Sequence, residues 1–300
     1  LRRVLSFSLN NQLGFMVVGI GIGTELSLNG TVAHAFVHII YKALLFMSMG
    51  AVLHRVGTTK ASELGGLYKF MPLTTIFCIV GAMSISAFPL FSGFVAKSLI
   101  MSALGGQGLI LIYFVLFFAS AGVLEHSGIK IPYFAFFAHE RKTKVKEAPF
   151  NMLLAMGIAA TLCIGIGVYP KYLYSILPYA VDYQPYTIDH VVSQLQLLVF
   201  AILAFLFLVK FKLYPSEIKS TVLNSDWFYR KMLPGIGRPL FKTLSSIINK
   251  IYLIIGLLFK SSLGRAKSFT EIHYIKVTTP GFAALVLISI LFFMLVIAVI

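Results

Sequence analysis

Charged side chains are scarce in this sequence. Lys, Arg, Asp and Glu make up 12% of its 300 residues, against about 25% in a typical soluble domain. Hydrophobic residues make up 58%, and the mean hydropathy is +0.90. This balance indicates an integral membrane protein with several spans. The sequence has neither an initiator Met nor a visible cleavable signal peptide, so we expect a fragment of a longer chain.

Cysteine is almost absent, which argues against several kinds of cofactor site. Cys78 and Cys163 stand alone in apolar segments, with no CxxC or Cys/His cluster for a metal, haem or iron–sulfur centre. Glycine-rich stretches at 19–23 and 165–167 lie inside apolar segments, so they favour close helix packing over a nucleotide loop. No nucleophile–base pair is visible. We therefore expect no cofactor, no metal and no catalytic centre on this chain.

Long apolar runs dominate instead. A membrane-spanning helix needs about 20 mostly apolar residues. Seven segments meet this need, namely 5–24, 32–53, 73–100, 107–124, 150–169, 192–209 and 281–300. The third is too long for one straight span, and Pro89 within it predicts a break. The sequence thus predicts an all-α polytopic membrane protein with about seven transmembrane helices, one of them broken near Pro89.

The positive charges collect on one side of this layout. With three exceptions, the 25 Lys and Arg residues lie at the N-terminus or in the connections 54–72, 125–149 and 210–280. The exceptions are Lys42, Lys97 and Lys171. This asymmetry predicts that those connections are cytoplasmic and that the C-terminus is outside. It also accounts for the net charge of +15 without a nucleic-acid surface, so nucleic acid is not an expected partner.

An amphipathic pattern runs through residues 240–260. Apolar residues share one helical face, and the opposite face carries Lys242, Ser245, Ser246, Asn249, Lys250 and Lys260. A basic polar face opposite an apolar face predicts an amphipathic helix at the cytoplasmic membrane interface. An eighth span here would contradict the charge distribution.

Ionisable side chains enter the second span. His34, His38 and Lys42 are four residues apart, so they share one helix face at intervals of about 6 Å. A charge at mid-membrane costs at least about 3 kcal/mol. Burial favours the neutral forms of Lys and His, so such groups can exchange protons near neutral pH. The stripe predicts a proton relay, and helix–helix hydrogen bonding by each histidine is the alternative.

Three further basic residues are candidates for the same path. Lys97 is a second intramembrane cation beyond the Pro89 break, and broken helices often mark transport sites. The alternative is a lysine that snorkels to the outer interface. His126 and Lys130 follow the fourth span and would line the point where protons enter, unless they belong to an ordinary solvated loop. No Asp or Glu lies within an assigned span, which disfavours a carboxylate Na+ site on this chain.

Several ordered segments resemble a known family. They are RRVLSFSLNNQLGFMVVGIGIG, AHAFVHIIYKALLFMSMGAVLHRVGT, ELGGLYKFMPLT and SISAFPLFSGFVAKSLI. They are similar to the antiporter-like membrane subunits, which are the proton-channel subunits of respiratory complex I, their relatives in membrane-bound hydrogenases, and subunits of Mrp-type Na+/H+ antiporters. The likeness covers residues 1 to about 135 and is looser beyond. The stretch YPSEIKSTVLNSDWFYRK most resembles the D-type subunits of Mrp antiporters.

The resemblance implies roles for these residues. Lys42 would be the central proton carrier with His34 and His38 beside it, and Lys97 would belong to the outlet. Ser98 stands where some relatives carry an acid, so a local carboxylate partner for Lys97 is not expected. The input Glu and Lys of the family have no counterpart in this chain.

The resemblance also implies an organisation of the chain. Its parts would be a proton-translocation domain (1–135, the C-terminal part of the family's domain), further transmembrane helices (136–209), a basic cytoplasmic loop with the amphipathic helix (210–280) and a final transmembrane helix (281–300). The implied function is that of a proton-translocating subunit of a multisubunit cation/proton antiporter or complex I-like complex. A structural subunit needed only for assembly and an independent solute transporter are the alternatives.

The same resemblance implies surroundings and cargo. The expected location is a bacterial or archaeal inner membrane, and the expected partners are other membrane subunits and the lipid bilayer. Protons would be the cargo, with Na+ as a further candidate. If the chain serves a proton-translocating NADH:quinone oxidoreductase-like complex, the electron chemistry would lie on partner subunits.

Overall fold

A computed structural model of the chain describes residues 1–138, 144–214, 225–262 and 286–287. These residues are mostly helical and contain no strand. The chain divides into two compact units, Leu1–Ser220 and Thr221–Ile300. The first unit holds all the candidate residues named above.

Eight α-helices longer than a single turn make up the described part of the first unit. They are α1 (Arg2–Ile22), α2 (Glu25–Val56), α3 (Pro72–Ile85), α4 (Ser92–Gly106), α5 (Ile110–Val123), α6 (Phe150–Val168), α7 (Pro170–Tyr174) and α8 (Ile188–Lys210). Short 3₁₀ turns at Ala61–Glu63 and Leu67–Lys69 join α2 to α3. Helix α2 packs against α1, α3, α4 and α6, so its side chains form the centre of the unit.

Five helices are long and apolar enough to cross a membrane within the part of the chain that the structure describes. They are Arg2–Ile22, Glu25–Val56, Ile110–Phe137, Phe150–Val168 and Ile188–Lys210. Many of their large apolar side chains are exposed, as a lipid-facing surface requires. The chain is a polytopic all-α integral membrane protein, as the sequence predicted. The predicted span 281–300 lies outside the described residues, apart from 286–287.

The helix of the predicted second span, 32–53, begins earlier than predicted, because α2 already begins at Glu25. Gly23 ends α1 in a left-handed conformation, with φ of 75°. The Thr24 side chain then accepts a hydrogen bond from the backbone N–H of Ser27 at 3.2 Å and caps α2. The polar side chain of Asn29, in this first part of α2, is buried and exchanges two hydrogen bonds with the backbone of Tyr179.

The predicted break near Pro89 is confirmed. Residues 86–91 separate α3 from α4, and within them Ala87 and Leu90 have positive φ angles of 56° and 72°. Two contacts hold this costly backbone in place. The hydroxyls of Ser84 and Ser92 are 2.7 Å apart across the break, and Gly93 lies directly against the Ser84 carbonyl. The single long segment 73–100 is therefore two short helices.

The predicted connection 125–149 is wrong over its first part. After α5 the helix continues through wide π-type turns at Leu124–Ile129 and Tyr133–Phe137, so the apolar helix runs from Ile110 to Phe137. Gly128 lies against the side chain of Ser86, which draws this segment onto the end of α3. Glu125 consequently lies within an apolar helix, contrary to the expectation that no acid would do so.

The second unit contains the predicted amphipathic helix. A π-type turn at Phe228–Met232 leads into α9 (Leu233–Ser262), which includes Pro239 near its start. Apolar side chains of one helical face, such as Leu244, Ile247 and Ile251, are exposed. The position of α9 at a membrane interface stays a prediction.

Candidate functional site

Lys42 is buried in the middle of α2. The residue is 4% exposed, and its ammonium group is held by α1. The Nζ atom donates to the backbone carbonyl of Leu5 at 3.2 Å and to the hydroxyl of Ser8. Both acceptors are neutral, so they solvate the ammonium without fixing its proton in an ion pair.

His34 and His38 lie beside Lys42 along α2. Together with Lys97 they form a row of four buried ionisable side chains. Their rings are stacked, with centroids 6.1 Å apart and an angle of 17° between the ring planes. The Tyr41 ring lies 5.4 Å from His38, edge to face, and its hydroxyl donates to Oε1 of Gln12 at 3.0 Å. The helical spacing predicted that the two histidines would share a face, and the structure places them together.

Several buried polar atoms on α1, α2 and the segment Leu124–Ile129 lack a hydrogen-bond partner among the described residues. They are both ring nitrogens of His34, Nε2 of His38, Nε2 of Gln12 and Oγ of Ser127. A buried polar atom with no partner costs about 1–3 kcal/mol. Bound water is the usual remedy, because it can bridge groups that do not touch. The arrangement therefore favours water between the histidines and their neighbours.

Lys97 lies on α4 and is 4% exposed. Its Nζ atom donates to the backbone carbonyl of Ile85 at 2.8 Å, one of the groups that the break after α3 leaves without a helical partner. The lysine is thus buried among helices, and the interpretation as a lysine that snorkels to the outer interface is wrong. The break has a direct part in the site, because it supplies the oxygen that binds this ammonium.

Phe15 of α1 contacts both His34 and Lys97. Its ring centroid is 5.9 Å from that of His34 and 5.0 Å from Nζ of Lys97. The ring face offers the ammonium a favourable cation–π contact but no route for a proton. Phe15 is therefore a shared neighbour of His34 and Lys97.

The ionisable groups of the row are close enough to repel one another when they are protonated. The charge of Lys42 acts on Lys97, and both lysines act on His38. Neither lysine has an ion pair within the part of the chain that the structure describes. A proton on one group therefore disfavours a proton on the next, which is suited to transfer along the row.

The candidate entry residues lie on the extended helix that follows α5. His126 is half-buried on the π-type segment Leu124–Ile129, and the charges of Lys130 and Lys42 both act on it. Lys130 lies over the rings of Phe134 and Tyr214, at 5.8 Å and 5.6 Å. Both residues are thus helical and partly enclosed, so the solvated-loop interpretation is wrong for this pair.

Sequence reasoning missed the contribution of α1. Ser8, Gln12 and Phe15 all point at the row, together with the backbone of Leu5. Their spacing of three or four residues places them on one helix face. Two polar residues on the buried face of an apolar span were the available signal.

Groups that could hold a metal are not found in the described ranges. No cluster of three His, Cys, Asp or Glu side chains occurs there. Cys78 and Cys163 are both buried free thiols.

The row of buried cations lies within a recognisable family segment. Residues 1–124 match the family described as NADH:quinone oxidoreductase/Mrp antiporter, TM. The segment includes α1 to α4 and all of α5, and therefore Lys42, both histidines and Lys97. The resemblance to the antiporter-like membrane subunits is thereby confirmed for this part of the chain.

Curated relatives align with part of this chain. The D-type subunit of the Na(+)/H(+) antiporter of Alkalihalophilus pseudofirmus is 33% identical over 182 residues, which are 58% of this chain and 36% of that protein. The L-type subunit of the F(420)H(2) dehydrogenase of Methanosarcina mazei is 39% identical over 112 residues, which are 34% of this chain and 17% of that protein. NADH-ubiquinone oxidoreductase chain 5 of Hypocrea jecorina is 30% identical over 183 residues, which are 58% of this chain and 26% of that protein. The chain thus spans a minor part of each relative's length.

Solved structures share the fold of this chain. A chain of the Mrp complex from Dietzia sp. has a TM-score of 0.52 at 22% identity, covering 56% of this chain and 40% of that one. A chain of the membrane-bound sulfane sulfur reductase, an archaeal respiratory membrane complex, has a TM-score of 0.52 at 22% identity, covering 94% of this chain and 50% of that one. Identities at this level support the fold alone.

Proposed function

We propose that this chain moves protons as a membrane subunit of a multisubunit cation/proton antiporter or complex I-like energy-converting complex. The proposed carriers are Lys42, His38, His34 and Lys97, in that order, within the domain 1–135. The observation that carries the proposal is the set of buried ionisable side chains on α2 and α4, with Phe15 of α1 in contact with both His34 and Lys97. Its lysines are held by neutral acceptors rather than by carboxylates.

The spacing of the row supports transfer through water. Stacked imidazoles whose centroids are 6.1 Å apart leave a step that one bridging water can cover. The buried nitrogens of His34 and His38 that lack protein partners are the groups such water would bind. Phe15 would be the slow point, because its ring interrupts the polar row before Lys97.

His126 and Lys130 are proposed as the point where protons enter. They lie in the second half of the apolar helix Ile110–Phe137, towards the end that the positive-inside rule places on the cytoplasmic side. The charge of Lys42 acts on His126, which supports an electrostatic link between the entry and the centre of the row. We also propose a bacterial or archaeal cytoplasmic membrane as the location, with the basic connections on the cytoplasmic side.

The antiporter assignment is placed ahead of the complex I-like one. The relative named as an Na(+)/H(+) antiporter component and NADH-ubiquinone oxidoreductase chain 5 of Hypocrea jecorina both align over 58% of this chain, and the order rests on the identity, which is 33% for the first and 30% for the second. Partner subunits are part of the proposal, because the relatives are named as subunits. The chain's own row contains no carboxylate ligand, so Na+ would be bound elsewhere in the assembly.

The deciding experiment measures dye-reported ΔpH in inverted vesicles that carry the complete parent complex. Lys42→Met removes the central carrier and keeps a side chain of similar length. We expect proton movement to fall by about a hundredfold at equal assembly, within the range for loss of a proton-transfer group. Lys60→Met is the matched control, because Lys60 is exposed and makes only a surface ion pair with Glu63.

The same measurement distinguishes an antiporter, a complex I-like pump and a subunit needed for assembly alone. Dependence of wild-type proton movement on added Na+ favours the antiporter, and independence from Na+ favours a complex I-like pump. A Lys42→Met complex that assembles and moves protons at the wild-type rate would show that Lys42 is structural. The chain would then be a subunit needed for assembly alone.

A further inference from the structure

A small cavity lies beside Lys97 and the Phe15 ring. Its volume is about 20 Å³, enough for one water molecule. Lys97 and Ser98 line it from α4, Ser120 from α5, and His190 and Gln194 from α8. The cavity therefore joins the last carrier of the proposed row to a histidine near the start of α8.

His190 is held in a defined orientation. Its ring stacks on that of Phe94, with centroids 4.8 Å apart and an angle of 21° between the planes. Nδ1 is 2.9 Å from the backbone carbonyl of Pro185. A carbonyl oxygen can only accept, so Nδ1 carries the proton of the neutral ring and Nε2 presents a lone pair. Nε2 is therefore the atom that can take up a proton.

Two carbonyls at the end of α3 accept hydrogen bonds from α4 and α8, two of the helices that line the cavity. Lys97 donates to the carbonyl of Ile85, and Nε2 of Gln194 donates to the carbonyl of Ser86 at 3.4 Å. These two consecutive carbonyls lie at the break, and their partners come from α4 and α8. Since Gln194 is one helical turn after His190, this bond keeps the His190 face of α8 against the cavity.

We propose that His190 is the exit carrier, which takes the proton of Lys97 through one water in this cavity and releases it to the outer side. The inference rests on the proposed proton-moving function of the row. Lys97 gives a proton to the water, and the same water gives one of its protons to Nε2. Lys97 is then a neutral amine and His190 an imidazolium, which loses the Nε2 proton to bulk water.

The position of His190 fits release. The residue is half-buried, so it reaches both the cavity and the surface. It follows the segment 170–187, which the charge distribution places on the outer side. Asp189, next to it in the chain, is exposed and stands where a released proton would reach solvent.

The test compares three side chains at position 190 in vesicles that carry the complete complex. His190→Gln keeps the size and a donor but cannot carry a proton, whereas His190→Glu has nearly the same shape and can. We expect His190→Gln to lower the rate of proton movement at least tenfold, with about a hundredfold as the low end for a lost proton-transfer group, and His190→Glu to retain more than His190→Gln. Ser193→Ala, exposed on the same helix, is the control and keeps the wild-type rate.

Two results would overturn the assignment. One is a His190→Gln complex that keeps half or more of the wild-type rate. The other is an equal loss with Gln and Glu, which would mean that only the shape of the ring matters through its stacking on Phe94. If Lys42→Met stops proton movement while His190→Gln does not, the row stands and the exit through His190 fails. If neither variant lowers the rate, both proposals fail.

A second variant decides the matter if position 190 does not tolerate substitution. Ser120 is buried and lines the opposite wall of the cavity. Ser120→Val adds an apolar group where the water would bind and leaves His190 and Lys97 intact. We expect at least a tenfold lower rate, as for loss of the carrier itself. A wild-type rate in an assembled Ser120→Val complex would contradict transfer through this cavity.

Discussion

The ammonium group of Lys97 lies over the face of the Phe15 ring, 5.0 Å from its centroid. The same ring is in contact range of His34, so it is a shared neighbour of the histidine pair and the second lysine. An aromatic ring attracts the cation but offers no route for a proton. On the proposed function, Phe15 would be the point at which proton movement is controlled.

The first prediction concerns this ring. Phe15→Ala should join the space at His34 with the cavity at Lys97 and admit water, so a preset pH gradient should decay several-fold faster without an energy source. The measurement is the dye-reported decay in vesicles with the complete complex. The substitution also costs about 3–5 kcal/mol of packing, so equal assembly must be verified.

Phe7→Ala is the control for Phe15→Ala. Phe7 lies on the same helix and is 58% exposed, so its removal should leave the gradient unchanged. An unchanged decay rate in an assembled Phe15→Ala complex would show that Phe15 is not the barrier.

The second prediction concerns the support of Lys42 by Ser8. Ser8→Ala removes one of the two neutral acceptors of the buried ammonium and leaves the Leu5 carbonyl. Hydrogen bonds to charged groups contribute about 1.5–3 kcal/mol. We expect a lower thermal unfolding midpoint and a several-fold lower rate of proton movement.

Ser6→Ala provides the comparison for Ser8→Ala. Ser6 is exposed and its hydroxyl donates only to the Arg2 carbonyl of its own helix. Its removal should change neither the midpoint nor the rate. Equal behaviour of the Ser6 and Ser8 variants would contradict the role of Ser8.

The third prediction concerns the break between α3 and α4. A Cβ atom at Gly93 would overlap the Ser84 carbonyl, which belongs to the backbone and cannot move alone. Gly93→Ala should therefore force the two helices apart and greatly reduce the amount of assembled complex, measured by detergent-gel analysis of membranes. Gly105 lies on the same helix with open space around it, so Gly105→Ala should assemble normally. Normal assembly of Gly93→Ala would mean that the break is more adaptable than its contacts indicate.

The sequence was most informative where a local rule applies. Three ionisable residues four apart must share a helix face whatever surrounds them, so the stripe of His34, His38 and Lys42 was predictable. Pro89 removes a helical hydrogen bond, so the break near it was predictable as well. The long apolar runs and their charge distribution were enough for the fold class.

Helix ends were predicted less well, because burial overrides local polarity. The second span was predicted to begin at residue 32, yet α2 begins at Glu25 and buries the polar Asn29 against the backbone of Tyr179. The fourth span was predicted to end at residue 124, yet the apolar helix continues to Phe137, with Gly128 packed on Ser86. Such contacts join residues distant in sequence, and no pattern along one segment contains them.

The sequence by itself determined the number and chemistry of the buried cations and the helix that carries three of them. Only the tertiary structure decided what solvates them: Ser8 for Lys42, the Ile85 carbonyl for Lys97, and a cavity shared between Lys97 and His190. The physical reason is that helical periodicity is a local property, whereas the cost of burying a charge is met by whichever groups the packing of other helices brings within hydrogen-bond distance.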